Sequence, residues 1–185
     1  MIGLVHTCTL QKRHRMQKLT YTGPAGTATV GQTVTGTTSH KTAVISQLVT
    51  GYLIVKTLSG TFTNGETIST TTWSGTLGTQ TDYVNQSGEY QYYWSNDQLL
   101  VPCRLYYSGG GGRNAKGEII HETGQLLDQP LKVALPTTCT VDALEYRVVS
   151  TVLGFTGTYD IATLYPLSGP SAITHYEAVL RKVTV

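Results

Sequence analysis

Residues 19–35 are repeated at residues 53–69, an offset of 34. Gly-Thr-Ala-Thr-Val-Gly-Gln-Thr-Val-Thr, starting at Gly26, lies over Gly-Thr-Phe-Thr-Asn-Gly-Glu-Thr-Ile-Ser, starting at Gly60. There are five identities, and the swaps Gln32/Glu66, Val34/Ile68 and Thr35/Ser69 are conservative. In each copy threonines alternate with apolar residues and a glycine follows Val30 or Asn64, which reads as a strand entered through a tight turn, with the threonine side wet. Two copies cannot bury a continuous solenoid core, so the pair must close on itself as one small sandwich or barrel-like module.

The rest of the chain is patterned in the same way. Short runs rich in Val, Ile, Thr and Tyr are separated by Gly, Asn and Pro, the pattern of an all-β protein. The clearest candidate strands are residues 3–11, 52–57, 98–107, 130–135, 146–153, 158–164 and 175–185. Little helix is expected; the best short candidate is residues 141–145, with Thr140 as N-cap.

Composition divides the chain. Residues 19–82 carry only Lys41, Lys56, Glu66 and Asp82 as formal charges, while the flanks hold most of the tyrosines and acids. This reads as a small β-barrel host, residues 1–18 plus 83–185, with a Thr/Gly-rich β-sandwich-like module, residues 19–82, inserted in one of its loops. Residues 107–125 include Gly109, Gly110, Gly111, Gly112, Arg113 and Lys116. Such a glycine-rich connection reads as a flexible arm that orders in an assembly.

Charged residues are only 13% of the 185, against about 25% in typical proteins, and the net charge is +2. That excludes charge-driven disorder and a chain that coats nucleic acid through a strong overall field. No stretch approaches the roughly 20 apolar residues of a spanning helix, and the first residues run apolar then basic, the reverse of a secretory signal. A soluble chain without a membrane or cleaved-export role is expected. Cys8, Cys103 and Cys139 are too scattered for a metal motif and read as buried reduced thiols.

No enzyme signature is present. The histidines His6, His14, His40, His121 and His175 form no metal-binding spacing, and the four glycines match no phosphate-binding loop, because no helix pattern follows them. No catalytic residue, metal or cofactor is expected. Two features have the chemistry of an interface. Lys12, Arg13, Arg15 and Lys18 put four fixed positive charges within seven residues, fit either for an acidic partner or nucleic acid or for a solvated strand end that resists aggregation. Tyr92, Tyr93 and Trp94, with Tyr90 just before them, belong to a chain with 12 tyrosines and two phenylalanines. Tyrosine suits half-wet interfaces and also stacking platforms for sugars or bases.

The two ends of the chain resemble the head-closure, or stopper, proteins of the head–tail connector of tailed bacteriophages. The resemblance lies in the order of Met-Ile-Gly-Leu-Val-His-Thr-Cys-Thr-Leu-Gln-Lys at residues 1–12, Val-Pro-Cys-Arg-Leu-Tyr at 101–106, the glycine-rich loop, Leu-Lys-Val-Ala-Leu-Pro at 131–136, Tyr-Arg-Val at 146–148, Gly-Thr-Tyr-Asp-Ile at 157–161 and His-Tyr-Glu-Ala-Val-Leu-Arg-Lys-Val at 175–183. The repeated unit resembles β modules of phage structural proteins, although stopper proteins are usually shorter and lack one.

The resemblance implies a homo-oligomeric ring, twelve-fold, in the virion neck and assembled in the host cytoplasm. A portal or adaptor ring would lie above it and the tail terminator or tail tube below. The ring would close the DNA exit channel and dock the tail, touching genomic DNA without sequence specificity. Gly109 to Gly112, Arg113 and Lys116 would then face the channel or a neighbouring ring. Other readings are a tail-terminator or capsid-decoration protein, or a carbohydrate-binding adhesin module with the Tyr/Trp run as its platform.

Overall fold

The computed structural model describes residues 6–56, 58–107, 130–168 and 173–183. They form twelve strands: β1 (His6–Arg15), β2 (Gln17–Gly26), β3 (Thr33–Gly36), β4 (Thr42–Val49), β5 (Tyr52–Lys56), β6 (Thr67–Ser69), β7 (Trp73–Asp82), β8 (Tyr92–Tyr107), β9 (Leu131–Leu135), β10 (Tyr146–Ser150), β11 (Gly157–Ser168) and β12 (Ile173–Lys182). The protein is all-β, and no helix occurs among the described residues. The glycine-rich arm with Gly109 to Gly112, Arg113 and Lys116 lies outside the described residues.

The chain divides into two units, Met1–Lys12 with Asn96–Val185, and Arg13–Ser95. The second is continuous and interrupts the first, as an insertion does. It is larger than the composition boundary at 19 and 82 implied, and the division falls inside β1 and inside β8. Composition placed the charged and aromatic residues 13–18 and 83–95 with the host, whereas their contacts belong to the inserted unit.

The discontinuous unit is a closed six-stranded barrel with strand order β1-β10-β11-β12-β9-β8. Alternation builds its core. In β8, Val101, Cys103 and Leu105 are buried while Pro102 and Arg104 are exposed, as a pleated strand with one dry face requires. Leu10, Val133, Leu135 and Val148 are fully buried beside them. Cys8, Cys103 and Cys139 lie in the same core, unbridged. The hydrogen bond that Cys8 shares with Cys103, together with burial, pushes its thiol far above the ordinary thiol range.

Residues 141–145 form a turn rather than a helix. The Tyr146 amide bonds the Asp142 carbonyl at 3.0 Å, closing one turn. The cap is Asp142, whose Oδ1 accepts from the Leu144 amide at 2.7 Å, not Thr140. Tyr146 then pairs with Lys12 as the first residue of β10, and strand pairing ends the turn.

The continuous unit is also a closed barrel, β2-β5-β4-β3-β6-β7, not a two-sheet sandwich. Closure follows from β2, which pairs with β5 on one side and β7 on the other. The first copy supplies β2 and β3 and is followed by β4, the second supplies β5 and β6 and is followed by β7, and the strand order is unchanged when β2-β3-β4 is exchanged with β5-β6-β7. The copies meet through their own equivalents, because Leu19 pairs with Leu53 and Thr35 with Ser69. A pseudo-two-fold axis therefore runs through the barrel.

The equivalence extends to the turns. Gly31 and Gly65 have φ of 89° and 82°, a left-handed conformation that glycine adopts without the Cβ penalty. Their amides bond the carbonyls of Ile45 and Leu77 at 2.9 and 2.8 Å. Val34 and Ile68 are fully buried in the barrel, with threonines on the wet side.

Candidate functional site

The basic run and the tyrosine run, more than 70 positions apart in the sequence, meet in the inserted unit. Hydrogen bonds from the Met16 amide to the Gln91 carbonyl (2.8 Å) and from the Tyr83 amide to the Met16 carbonyl (2.9 Å) hold residues 13–16 beside residues 83–93. A turn at residues 85–89 returns the chain. There Asn85 Oδ1 accepts from the amides of Ser87 and Glu89, each at 2.9 Å, an Asx turn.

Cations lie over tyrosine rings along this ribbon. The Arg13 guanidinium is 4.4 Å from the Tyr92 ring centre, and that of Arg15 is 4.2 Å from Tyr90. Strand period places Arg13 and Arg15 on one face, and Tyr90 and Tyr92 likewise. His14 stacks on Tyr93, with ring centres 5.3 Å apart. Lys18 Nζ lies 4.4 Å over Tyr52. Each exposed cation–π contact contributes roughly 0.5–1 kcal/mol.

Arg15 Nη1 also reaches Asp82 Oδ2 at 2.6 Å, and Gln17 donates to the other carboxylate oxygen. These hydrogen bonds, that of Arg15 first, hold the Asp82 carboxyl below its usual range. Among the described residues Arg13 and Lys18 have no carboxylate within ion-pair reach.

The remaining residues singled out from sequence are placed differently. Lys12 belongs to the discontinuous unit, 3.9 Å from Glu145 and 5.7 Å from the Tyr146 ring centre. Trp94 is half-buried rather than laid open as a platform. His6 serves strand pairing, its Nδ1 accepting from the Leu105 amide at 3.2 Å. Among the described residues no three His, Cys, Asp or Glu side chains converge as metal ligands.

Three groups escaped the sequence reading. Glu177 accepts from Lys132 Nζ and from the Tyr106 hydroxyl, each at 2.5 Å. Asp97 accepts from the Tyr146 hydroxyl at 3.0 Å. Glu66, at 5% exposure, accepts from the amides of Thr38, Ser39 and Thr63 and from the Ser39 hydroxyl. The only signal for Glu66 was the Gln32/Glu66 swap; the others join residues on different strands.

Lys132, and then Tyr106, hold the Glu177 carboxyl below its ordinary value. Burial, and then Glu177, push the Tyr106 phenol to about 12; burial, and then Asp97, do the same for Tyr146. A folded pKa raised above the unfolded value favours the native state below the unfolded pKa, and that contribution disappears as pH rises through the folded one. Stability should therefore fall between pH 10 and about 12 as these phenols ionise. A Tyr106→Phe/Tyr146→Phe variant should show a shallower alkaline limb in denaturant titrations over that range, and an unchanged limb would show that other groups set it.

The discontinuous unit carries a further feature. β11 pairs with β10 only from Gly157 to Asp160, whereas its pairing with β12 continues to Ser168. From Ile161 to Tyr165 the side of β11 away from β12 has no strand beside it among the described residues. This stretch, Ile-Ala-Thr-Leu-Tyr, is uncharged, and Tyr165 is 47% exposed. Leu99 and Leu100, at 65% and 75% exposure, stand together in β8, where Leu100 has a φ of 52°, a left-handed conformation that is rare and strained for leucine.

No family model, curated protein or solved structure matches this chain.

Proposed function

We propose that this is a structural protein of a phage neck. In this reading the discontinuous barrels join into a ring that closes the DNA exit channel and docks the tail, with a portal or adaptor ring above and a terminator or tail tube below. The observation that carries the reading is the uncharged edge of β11, which no strand accompanies among the described residues. An open edge invites pairing with another chain, and although β11 carries a bulge between Ile161 and Thr163, the stretch has no charge and no covering strand among the described residues. A ring uses it, because a head-to-tail contact that closes leaves no edge over. The order of elements that resembles the stopper proteins supports the same reading. Its described segments fall mostly on strands of one closed barrel, and the inserted unit interrupts that barrel without supplying a strand to it.

The test is native mass spectrometry and electron microscopy of the protein alone and with neck components. A ring of about a dozen copies is expected. Ala162→Lys/Tyr165→Lys, both at exposed positions, should convert the ring to monomers with unchanged circular dichroism. A monomer in the native protein, or a ring indifferent to the two lysines, would overturn the reading.

A further inference from the structure

We propose that the Arg13/Arg15–Tyr90/Tyr92 ribbon is a binding surface for the phosphodiester backbone of nucleic acid, contacted without base recognition. The inference stands on the inserted unit alone and does not depend on a ring.

Arg13 and Arg15 are two residues apart on one face of β1, so their anchor points are separated by about 6.6 Å. Each guanidinium lies on a tyrosine ring, at 4.4 and 4.2 Å from its centre. At these distances each ring occupies one side of its guanidinium, and the N–H groups not already engaged stay within reach of a ligand. Stacking also orients the planar fork before any ligand arrives, so less side-chain freedom is lost on binding. Asp82 engages Arg15 through Nη1 and Tyr92 takes a further side-chain hydrogen bond from it, so the Arg15 fork is partly committed, while Arg13 has no carboxylate partner among the described residues.

Charge favours an anionic ligand. Residues 13–95 carry Arg13, Arg15, Lys18, Lys41 and Lys56 against Glu66, Asp82 and Glu89. Glu66 is buried in its own hydrogen bonds, and Glu89 is held by Asn85 Nδ2 at 3.1 Å. Two arginine forks at strand spacing suit a ligand that repeats its charge regularly, and arginine matches phosphate oxygens bidentately. The guanidinium groups occupy the tyrosine faces on which bases would otherwise stack, so the contact is to backbone and indifferent to sequence.

The test is fluorescence anisotropy with a labelled 20-base-pair duplex and, separately, one of its strands, at 50 to 200 mM salt. Weak binding is expected, with Kd of about 10⁻⁴ to 10⁻⁶ M near physiological salt. Arg13→Ala/Arg15→Ala should weaken it at least tenfold while circular dichroism stays unchanged. The slope of log K against log salt should fall by about 1.8 for duplex or about 1.4 for single strand, which identifies the form bound. Arg13→Lys/Arg15→Lys, with charge kept and the fork removed, should fall between the native protein and the double alanine. Lys41→Ala, away from the ribbon in sequence, should bind as the native protein does.

Absence of binding, a double alanine that binds normally, or equal competition by polyglutamate at matched charge would overturn the proposal. The last would mark an acidic-protein surface. A monomer that binds DNA would sink the ring and leave this site standing; a ring that ignores DNA would do the reverse.

Discussion

Glu66→Ala should destabilise the inserted barrel by about 3 kcal/mol, the largest loss expected from any single polar side chain among the described residues. The carboxylate bonds the amides of Thr38 and Ser39 at 2.8 and 2.9 Å and that of Thr63 at 2.7 Å. Alanine would leave these donors without an acceptor in a site that is nearly closed to water. Glu66→Gln should cost about 2 kcal/mol, because each carboxylate oxygen accepts from at least one backbone amide, which can only donate, and the amide NH2 must face one of them.

The equivalent Gln32 shows why the copies differ. Its Oε1 accepts from the Thr29 amide at 3.1 Å, as Glu66 accepts from Thr63, but its Nε2 faces the Thr72 hydroxyl at 3.0 Å. A hydroxyl can accept. Each side chain thus ties its own turn to a turn of the other copy, and only Glu66 requires a full carboxylate. Gly36 is fitted to the same site, since a Cβ there would lie 2.6 Å from both Glu66 carboxylate oxygens.

Burial works to raise the Glu66 carboxyl, and the hydrogen bonds from Ser39, Thr63 and Thr38 overcome it, leaving the folded value below the ordinary one. The contribution is therefore present above the unfolded carboxyl value, about 4.3, and is lost as pH falls through the folded value. Urea titrations at pH 7 and pH 3 should show the native protein and Glu66→Gln converging at the acid end. A constant gap between them would refute a role for the charge.

Replacing residues 13–95 by a two-residue Asn-Gly turn should leave a folded six-stranded barrel. The cut ends are already together within their own unit, where Gln11 Nε2 donates to Asn96 Oδ1 at 2.7 Å. β1 and β8 neighbour each other in the closed barrel, so the turn would make them a hairpin. All fifteen buried residues of that core lie outside the deleted segment. Cooperative thermal unfolding with a β-type circular dichroism spectrum is the expected result, and an unfolded product would show that the barrel needs the insertion.

Strand period was legible wherever one face of a strand is dry. All seven segments chosen from the sequence contain strands, and Val101, Cys103 and Leu105 alternate in β8 as their spacing demands. β2, β3 and β6 were visible only as a repeat, because their threonine-rich outer faces weaken the contrast between inside and outside, and β4 and β7, beyond the repeated segments, were not read from the sequence. The short helix proposed at residues 141–145 failed because propensity is a weak prior over five residues and pairing of Tyr146 with Lys12 ends the turn.

The interface residues were legible as types and not as a site. A run of four cations and a run of tyrosines each have more than one reading, and nothing in either run names the other. Their apposition depends on pairing between segments more than 70 positions apart, whose register is set by backbone hydrogen bonds common to all sequences.

By itself, the sequence determined the all-β class, the duplication and which side of each clear strand is dry, because these follow from local period and from identity between segments. Only the tertiary structure decided that the duplicated unit closes as a pseudo-symmetric barrel, that the continuous unit runs from Arg13 to Ser95, that Arg13 and Arg15 lie on Tyr92 and Tyr90, and that β11 has no strand beside residues 161–165 among the described residues. Those are outcomes of long-range pairing, in which the choice of partner strand is made by packing and closure rather than by anything the strand carries within itself.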